Sequence, residues 1–367
     1  IPTLNLYRES WNEKTLSCSS SLETKNIVYL GVQDEIENDL ARQVTDLKAT
    51  WASFANIAEC LGAIKEQNHD TQVIIYRPGA SQERAAIEDI YKLLNLTEVN
   101  IQQVILVGDY DSPYDQAWIG YERSIGLALS NLAMTIVYNA PSAETILEAV
   151  ELLGIYRYEG GRREQLSFET IAPDLDGFKE KNTPLKQQGT YVITGGMGGL
   201  GQLFARYLAK EYQANLILLG RSQENPDHDR VIEDLKITGA TSARYESVDI
   251  SDRRSLLVLS EKLQAAEYFV DGVLHAAGVE GNKNITDATW SEFDEVLFAN
   301  IEGSLALNEA FKTSNWVCYF SSSSAILGDF GACSYAIGKR FQMALAALQE
   351  QSGPRHICIN WPLWKEG

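Results

Sequence analysis

Hydrophobic and polar positions along the chain follow two alternating patterns: short apolar runs, and longer stretches with helical spacing. The apolar runs predict buried strands, and the stretches between them predict amphipathic helices. The predicted strands of the first half are Asn26–Gly31, Gln72–Tyr76, Gln103–Val107 and Met134–Tyr138. Those of the second half are Tyr191–Ile193, Asn215–Leu219, Arg244–Val248, Phe269–Leu274, Trp316–Phe320 and His356–Trp361. Strands that alternate with helices in this way predict an α/β fold with two Rossmann-like, doubly wound halves.

The periodic pattern is interrupted at about residues 171–189, where prolines, a glycine and a cluster of charges occur together. A chain of 367 residues is long enough for about two domains, each with its own core. We therefore predict a first domain over residues 1–172 and a second over residues 173–367.

The first half begins with a βα turn that is unlike a nucleotide-binding turn. This turn, Leu30–Glu35, has one glycine and two acids, Asp34 and Glu35, where a pyrophosphate would sit. Because like charges repel, we predict a structural subdomain without a cofactor of its own, with a second nucleotide site as the alternative. Residues 117–132 have apolar positions at helical spacing and predict a core helix.

The second half begins with a strand that runs into a glycine-rich turn and then a helix. The residues of the turn are Thr194, Gly195, Gly196, Met197, Gly198, Gly199, Leu200 and Gly201. Gly196, Gly198 and Gly201 satisfy the GxGxxG spacing, which lets the backbone approach a pyrophosphate at the helix N-terminus. We predict a dinucleotide-binding turn; an ordinary glycine-rich turn is the alternative.

Composition and charge narrow the classes of partner and compartment. The 31 lysines and arginines against 50 aspartates and glutamates give a formal net charge of −19, which argues against nucleic acid as a partner. The five cysteines form no CxxC pair and no metal-ligand spacing, so we expect a reduced, cytoplasmic protein without a metal. No apolar run approaches the roughly 20 residues that span a membrane, and the first residues lack a signal-peptide pattern.

An arginine follows the strand after the glycine turn, at a position where an acid would favour NAD. Arg221, followed by Ser222, suits a charge-assisted bond to the 2′-phosphate of NADP, with a solvated surface arginine as the alternative. Asp249 closes the next strand, where it either accepts from an adenine amine or caps the following helix. These positions favour NADP over NAD.

Two further polar positions lie on apolar elements. One apolar strand ends in a histidine and three small residues: His275, Ala276, Ala277 and Gly278. The small residues let the chain pass close to a flat ligand, and His275 itself is predicted to be a structural, hydrogen-bonded histidine. Asn300 lies near the apolar face of a helix that a capping box starts at Thr289, so it is either a structural hydrogen-bonder or part of a site.

The sharpest chemical pattern is a serine run followed by a tyrosine and a lysine. Residues 321–324 are serines, and Tyr335 and Lys339 share one face of a predicted helix because they are four residues apart. The lysine is expected to lower the pKa of the phenol towards neutrality, which makes the phenol a usable proton donor. The alternative, a solvated helix pair, is disfavoured by the serine run and the glycine turn.

In their order along the chain, these residues resemble the ketoreductase domain of a modular polyketide synthase, within the short-chain dehydrogenase/reductase superfamily. The resemblance rests on the glycine turn, Arg221, Asp249, the run from His275 to Gly278, Ser322, Tyr335 and Asn360–Trp361. The opening Leu6–Trp11 resembles the start of the structural subdomain of such enzymes, so the resemblance covers essentially the whole chain. The family places its serine thirteen positions before the tyrosine, which selects Ser322 from the run.

The resemblance implies NADPH-dependent reduction of a keto group on an acyl chain that an acyl carrier protein holds through phosphopantetheine. It also implies neighbouring polyketide synthase domains as partners. In this family pattern Tyr335 donates a proton to the carbonyl oxygen and Ser322 hydrogen-bonds that oxygen. Lys339 holds the cofactor ribose, and Asn300 positions a water that resupplies protons.

The sequence departs from the family pattern at two places. Asn300 and Lys339 stand where most polyketide ketoreductases have lysine and asparagine, respectively. Residues 280–282, Glu-Gly-Asn, replace the Leu-Asp-Asp signature of one stereochemical class, and Leu327 replaces the tryptophan of the other. A stand-alone reductase of a free ketone and a non-catalytic NADP-binding sensor are the alternative functions.

Overall fold

The computed structural model describes residues 6–14, 25–67, 73–96, 99–129, 131–171, 183–329, 331–349 and 353–363. The chain forms two compact units. The first unit consists of residues 1–178 and 284–290, and the second consists of residues 179–283 and 291–367. The predicted boundary between residues 172 and 173 lies outside the described residues, and it stays a prediction.

The first unit is an α/β structure around one sheet. Its described strands are β1 (Leu6–Glu13), β2 (Asn26–Gly31), β3 (Thr50–Phe54), β4 (Val73–Arg77), β5 (Gln103–Gly108), β6 (Ala133–Tyr138), β7 (Gly154–Glu159) and β8 (Arg162–Ile171). Its helices are α1 (Glu35–Asp46), α2 (Ile57–Gln67), α3 (Glu83–Leu94), α4 (Pro113–Ala117), α5 (Ile119–Ala128) and α6 (Ala143–Glu148). The strand order is β1-β8-β7-β6-β5-β4-β2-β3, with β2 to β7 parallel and β8 antiparallel to both β7 and β1. Its parallel part has one of the two common doubly wound strand orders, the flavodoxin-like one.

The four strands predicted in the first half are confirmed as β2, β4, β5 and β6, except that Gln72 lies outside the described residues. The hydrophobic pattern does not predict β1, β3, β7 and β8. β3 lies at one edge of the sheet and has no fully buried residue, whereas β1, β7 and β8 form the antiparallel side. Half-exposed strands of this kind carry polar residues, so they lack the continuous apolar run of a buried parallel strand.

The core helix predicted over residues 117–132 is wrong in its bounds. Two helices, α4 and α5, meet at Trp118, and α5 ends at Ala128. Ser112 starts α4 earlier than predicted, because its hydroxyl accepts from the N–H of Asp115 at 3.2 Å. The predicted burial is confirmed for Trp118, Ile119 and Ile125, whereas Leu129 and Leu132 are only half-buried.

The first βα turn of this unit is closed by its own side chains. Asp34 is the N-cap residue of α1, and its carboxylate accepts from the backbone N–H groups of Ile36 and Glu37, each at 3.1 Å. The guanidinium of Arg77, at the end of β4, pairs with the same carboxylate at 2.9 Å. A carboxylate therefore takes the position at the helix N-terminus that an anionic ligand would use. This arrangement supports the prediction that the first unit binds no nucleotide, which stays a prediction.

The second unit is an α/β structure around a fully parallel sheet. Its strands are β9 (Thr190–Thr194), β10 (Asn215–Gly220), β11 (Ser242–Ser247), β12 (Gly272–His275), β13 (Trp316–Ser322) and β14 (Arg355–Trp361). Its helices are α7 (Gly199–Tyr212), α8 (Pro226–Thr238), α9 (Arg253–Ala265), α10 (Trp290–Ala310), α11 (Ser324–Leu327) and α12 (Cys333–Leu348). The order β11-β10-β9-β12-β13-β14 corresponds to 3-2-1-4-5-6, the strand order of dinucleotide-binding folds. The predicted α/β class is thus confirmed.

The strands predicted in the second half are confirmed, and their bounds agree to within two residues except at the start of β12. β12 begins at Gly272 rather than at Phe269, whose side chain is 54% exposed. A Cβ on Gly272 would lie 2.2 Å from the ring of Trp316, so the strand starts where the backbone packs closely on that indole. Phe269 is exposed and Val270 is buried, but neither belongs to the strand.

One segment of the second half of the sequence belongs to the first unit. Residues 284–290 end at Trp290, the first residue of α10, yet they pack with the first unit. The Tyr91 hydroxyl donates to the carbonyl oxygen of Ala288 at 2.6 Å, and the rings of Tyr91 and Trp290 lie 5.2 Å apart. The chain therefore enters the first unit a second time, which no local sequence pattern indicates.

Candidate active site

The glycine turn after β9 leaves the start of α7 open. The N-cap residue of α7 is Gly198, and no side chain caps the helix there. Gly195 has a φ of +63°, and a Cβ on Gly201 would lie 2.3 Å from the Gly195 carbonyl oxygen, so both positions require glycine. The N–H groups in the first turn of α7 are available to an anion, and a pyrophosphate fits this position.

A cavity of about 610 Å³ begins at this turn and extends along the carboxyl ends of the strands. Its lining includes ten of the predicted site residues: Gly195, Gly198, Gly199, Leu200, Gly201, Ala276, Gly278, Ser322, Tyr335 and Lys339. Other predicted residues do not line it: Thr194, Gly196, Met197, Arg221, Ser222, Asp249, His275, Ala277 and Asn300. The structure therefore brings the serine, the tyrosine and the lysine to the same cavity as the glycine turn.

The phenol of Tyr335 lies in the first turn of α12, and Ser322 lies at the end of β13. Burial raises the pKa of Tyr335 above its ordinary value, the charges of Glu280 and Asp329 raise it as well, and a hydrogen bond with Ser322 opposes them. The prediction that Lys339 brings this pKa towards neutrality is wrong for the protein alone. A phenol in this state keeps its proton at neutral pH and can donate it.

The position of the Lys339 ammonium explains why it does not bring the pKa of Tyr335 towards neutrality. Lys339 is 3% exposed, and its ammonium lies 5.3 Å from the centre of the Tyr335 ring. Its N–H groups donate to the carbonyl oxygen of Phe320 at 3.1 Å and to Oε1 of Gln342 at 3.2 Å. Burial lowers the pKa of Lys339 to about 8. The ammonium is thus held by neutral acceptors, and it contacts the face of the phenol ring.

Asn300 lies on α10 and is fully buried beside this lysine. Its Nδ2 donates to the carbonyl oxygen of Val296 at 2.8 Å, whereas its Oδ1 has no hydrogen-bond partner among the described residues. A Cβ on Gly278 would lie 3.2 Å from Nζ of Lys339 and 3.4 Å from Oδ1 of Asn300. An ammonium and a buried acceptor therefore both border the small space that Gly278 leaves, where a hydroxyl group or a water would satisfy the acceptor.

His275 is a structural histidine in this fold. It is fully buried at the end of β12, and its Nδ1 lies 2.8 Å from the hydroxyl oxygen of Thr194. Its Nε2 lies 3.1 Å from the hydroxyl of Ser304. Burial lowers its pKa to about 3, with the charge of Lys339 acting in the same direction. The imidazole is neutral and packed, so any contact between this run and a cofactor involves Ala276 and Gly278, which line the cavity.

The residues predicted for the adenosine end lie outside the cavity. Arg221 is exposed and forms no ion pair with any described residue. Ser222 lies 3.1 Å from the hydroxyl of Tyr245, which donates to the Ser222 carbonyl oxygen at 2.7 Å. Asp249 accepts from the N–H of Ser251 at 2.9 Å. The N-cap of α9 is Asp252, so the prediction that Asp249 caps this helix is wrong, and the adenine alternative stays a prediction.

Sequence reasoning does not identify two acids at the cavity as site residues. Glu280 and Asp329 both line it, and Asp329 accepts from the Ser324 hydroxyl at 3.2 Å and from the N–H of Gly331 at 3.0 Å. Glu280 follows the small residues after β12, and Asp329 follows α11. Short polar loops of this kind have no periodicity, so only their position at the carboxyl ends of the strands could have suggested a role.

Comparisons with known proteins agree with this geometry. A family model described as the KR domain matches residues 189–366. Polyketide synthase PksM of Bacillus subtilis is 36% identical over 330 residues, which are 83% of this chain and 8% of that protein. Erythronolide synthase EryA3 of Saccharopolyspora erythraea is 33% identical over 178 residues, which are 48% of this chain and 6% of that protein. The chain therefore spans less than a tenth of the length of these curated relatives.

Solved structures with the same fold cover both units. A crystal structure of an N-terminal ketoreductase from the macrolactin assembly line superposes with a TM-score of 0.84 at 21% identity, over 98% of this chain and 84% of that one. A ketoreductase domain from the bacillaene assembly line superposes with a TM-score of 0.76 at 23% identity, over 99% of this chain and 86% of that one. At these identities the likeness shows the fold.

The described part of the chain contains neither a membrane-spanning helix nor a metal-binding cluster. None of its helices is both long and apolar enough to cross a membrane. Its histidines, cysteines and acids form no group that could hold a metal ion.

Proposed function

Because the chain belongs to the ketoreductase (KR) domain family of polyketide synthases, we propose that it reduces a keto group of a carrier-bound acyl chain with NADPH. The acyl chain would be attached through phosphopantetheine to an acyl carrier protein. The observation that carries this proposal is that Ser322, Tyr335 and Lys339 line the same cavity as the open glycine turn. A proton donor and a dinucleotide site in one cavity are what carbonyl reduction requires.

The residues that would hold the cofactor fit it. The open N-terminus of α7 would bind the pyrophosphate, and the cavity wall at Ala276 and Gly278 leaves room for a flat ring. Oδ1 of Asn300, which has no partner among the described residues, and the ammonium of Lys339 would bind a ribose hydroxyl or a water beside Gly278. The cofactor supplies the hydride when it is bound.

The protein's part of the reaction is proton transfer and positioning. The Tyr335 hydroxyl would give its proton to the carbonyl oxygen as the carbonyl carbon accepts hydride, so that the ketone becomes an alcohol. Ser322 would donate a hydrogen bond to the same oxygen and hold it within reach of the phenol. The Lys339 ammonium would favour the phenolate that the transfer leaves on Tyr335. A raised phenol pKa in the protein alone agrees with a group that must hold its proton until the substrate arrives.

NADPH is proposed over NADH because of Arg221. Its guanidinium follows β10, is exposed, and has no ion-pair partner among the described residues, so it can bind the 2′-phosphate that only NADPH carries. Ser222 and Asp249 would complete the adenosine end of the site. The negative net charge of the chain makes a local cation necessary for holding a phosphate group there.

The experiment that tests the proposed function compares carrier-bound and free substrates. A keto-acyl chain on a phosphopantetheinylated carrier protein, and the same keto acid without the carrier, are each incubated with the full chain and NADPH. We expect NADPH oxidation and hydroxyacyl product with the carrier-bound chain, at a higher kcat/KM than with the free acid. Equal or faster turnover of the free ketone would favour a stand-alone reductase, and no oxidation with either would favour the sensor alternative.

A further inference from the structure

The catalytic helix α12 presents a third polar residue on the face that carries Tyr335 and Lys339. Gln342 is three residues after Lys339 and seven after Tyr335, so the three side chains share one side of the helix. Gln342 is fully buried and does not line the cavity. A buried amide on the active-site face must have hydrogen-bond partners, and those partners define what it does.

The two ends of this amide contact two different kinds of group. Oε1 of Gln342 accepts from the ammonium of Lys339 at 3.2 Å. Nε2 faces α10, where it donates to the hydroxyl of Ser304 at 3.1 Å and to the carbonyl oxygen of Asn300 at 3.4 Å. Nε2 also lies 3.3 Å from Nε2 of His275. An ammonium only donates and a carbonyl oxygen only accepts, so the amide fits in this one orientation.

The buried ammonium of Lys339 depends on Gln342 because few other groups compensate its positive charge. Among the described residues, Lys339 has no ion pair, and its other hydrogen-bond acceptor is the carbonyl oxygen of Phe320. The groups that face it are His275 on β12, Tyr335 on α12, Cys358 on β14 and Glu280 in the loop after β12. His275 is neutral, and burial raises the pKa of the Cys358 thiol to about 11, which leaves Glu280, an exposed residue, as the one negative charge among them.

We propose that Gln342 is a positioning residue, which holds the Lys339 ammonium at the cavity wall and ties it to α10 through the backbone of Asn300. This inference rests on the proposed function, because it matters through the role of Lys339 beside the ribose and Tyr335. Two of the three N–H groups of the ammonium are used by Gln342 and Phe320, and the third remains for groups in the cavity. Leucine in place of Gln342 removes both the acceptor for Lys339 and the donor to α10. Glutamate keeps the acceptor and removes the donor.

The direct test is a titration of the lysine in the cofactor-free protein. The ε-carbon signal of Lys339 is followed by NMR in protein labelled at lysine, and is assigned by its loss in Lys339→Arg. We expect a pKa near 8 in the wild type, where burial already lowers it. Gln342→Leu removes a bond to the charged form, so the pKa should fall by about one to two units. Gln342→Glu places a negative charge beside the ammonium, so the pKa should rise.

A kinetic readout on the same variants connects the titration to the reaction. The alkaline limb of kcat/KM for NADPH reports ionisation in the free protein. It should move to lower pH in Gln342→Leu and to higher pH in Gln342→Glu, because activity is lost when the ammonium loses its proton. A merely structural glutamine would change stability and leave this limb in place.

The matched control is a second buried, hydrogen-bonded glutamine, which lies in the first unit. Nε2 of Gln103 donates to the hydroxyl of Thr135 and to the carbonyl oxygen of Ala149, each at 3.1 Å. Gln103→Leu should lower the melting temperature, as Gln342→Leu should, without moving the lysine titration or the alkaline limb of the pH profile. If Gln342→Leu does not fold, Gln342→Met keeps the unbranched shape of glutamine and carries the same expectation.

An unchanged Lys339 pKa in the leucine or methionine variant and in Gln342→Glu would overturn the inference, whatever the activity. A wild-type protein that fails to oxidise NADPH with any keto-acyl thioester would instead contradict the proposed function. The two failures are separate, because the lysine titration needs neither cofactor nor substrate.

Discussion

Both units contain a parallel strand that is followed by a turn and a helix, and the two turns differ in what contacts the N-terminus of the helix. In the first unit, the carboxylate of Asp34 caps α1 and pairs with Arg77. In the second unit, the turn from Gly195 to Gly201 has no capping side chain, and the N-terminus of α7 faces a cavity. The two units thus differ in what satisfies the helix N-terminus, and this difference is the basis of the prediction that only the second unit binds a nucleotide.

The largest expected effect is a loss of reduction without a loss of NADPH binding in the second unit. Tyr335→Phe removes the hydroxyl proton but keeps the ring, so NADPH should still bind while reduction falls by about 10² to 10⁴. The measurement is kcat with a carrier-bound keto-acyl chain, together with the Kd for NADPH. Tyr319→Phe is the control, because Tyr319 is buried and its hydroxyl bonds to Asn308 outside the cavity. Retained activity in Tyr335→Phe would reject the proton-donor role.

Displacing the glycine turn before α7 should strongly weaken NADPH binding. A Cβ on Gly201 would lie 2.3 Å from the Gly195 carbonyl oxygen and 2.7 Å from the Cα of Gly196, so Gly201→Ala must displace the turn. We expect the Kd for NADPH to rise by at least about 100-fold, the loss of several N–H contacts to an anion. Gly62→Ala, a helical glycine of the first unit with open space around its Cβ, should bind NADPH as the wild type does. Wild-type affinity in Gly201→Ala would contradict the assignment of the turn.

A smaller effect should discriminate between the two nicotinamide cofactors. Arg221→Ala should weaken NADPH by about 10- to 100-fold and leave NADH nearly unchanged, because one charge-assisted contact to the 2′-phosphate is lost. Calorimetry with both cofactors measures this directly. Arg206→Ala, at an exposed arginine that pairs with Asp234, provides the control for lost surface charge. Equal weakening of both cofactors would return Arg221 to the role of a surface arginine.

The smallest effect concerns the closed turn. Asp34→Ala removes the cap of α1 and the partner of Arg77, so the first unit should lose about 1 kcal/mol of its free energy of unfolding. The loss is measured by urea denaturation, with the hydrogen exchange of α1 amides as the local readout. Asp39→Ala is the control, at a half-buried acid of the same helix that pairs with Arg42 and does not cap the helix. If Asp34→Ala is as stable as the control, the carboxylate does not satisfy the helix N-terminus.

The elements that can be predicted from the sequence are those with a continuous apolar run or a fixed spacing of residues. Parallel strands such as β5 and β13 are continuous apolar runs, and the glycine turn has fixed spacing, so both can be recognised locally. Edge strands such as β3 have no such pattern because one side remains in water. The return of residues 284–290 to the first unit depends on a contact with Tyr91, which is distant along the chain.

The sequence predicts part of the membership of the candidate site and not its electrostatics. Ser322, Tyr335 and Lys339 reach one cavity as expected. The pKa of the phenol is raised and not lowered, because burial and the acids Glu280 and Asp329 act on it. These acids come from loops, and burial is a property of the whole fold. The charge balance at a phenol therefore cannot be read from the spacing of two residues on a helix.

The measurement that tests the comparison most directly is a calorimetric titration of NADPH into the full chain. If the open turn binds the dinucleotide and the closed turn does not, one NADPH should bind per chain. The Gly201→Ala change in the second unit should remove that binding, and Asp34→Ala in the first unit should preserve it. Two sites per chain, or one site that survives Gly201→Ala, would contradict the account.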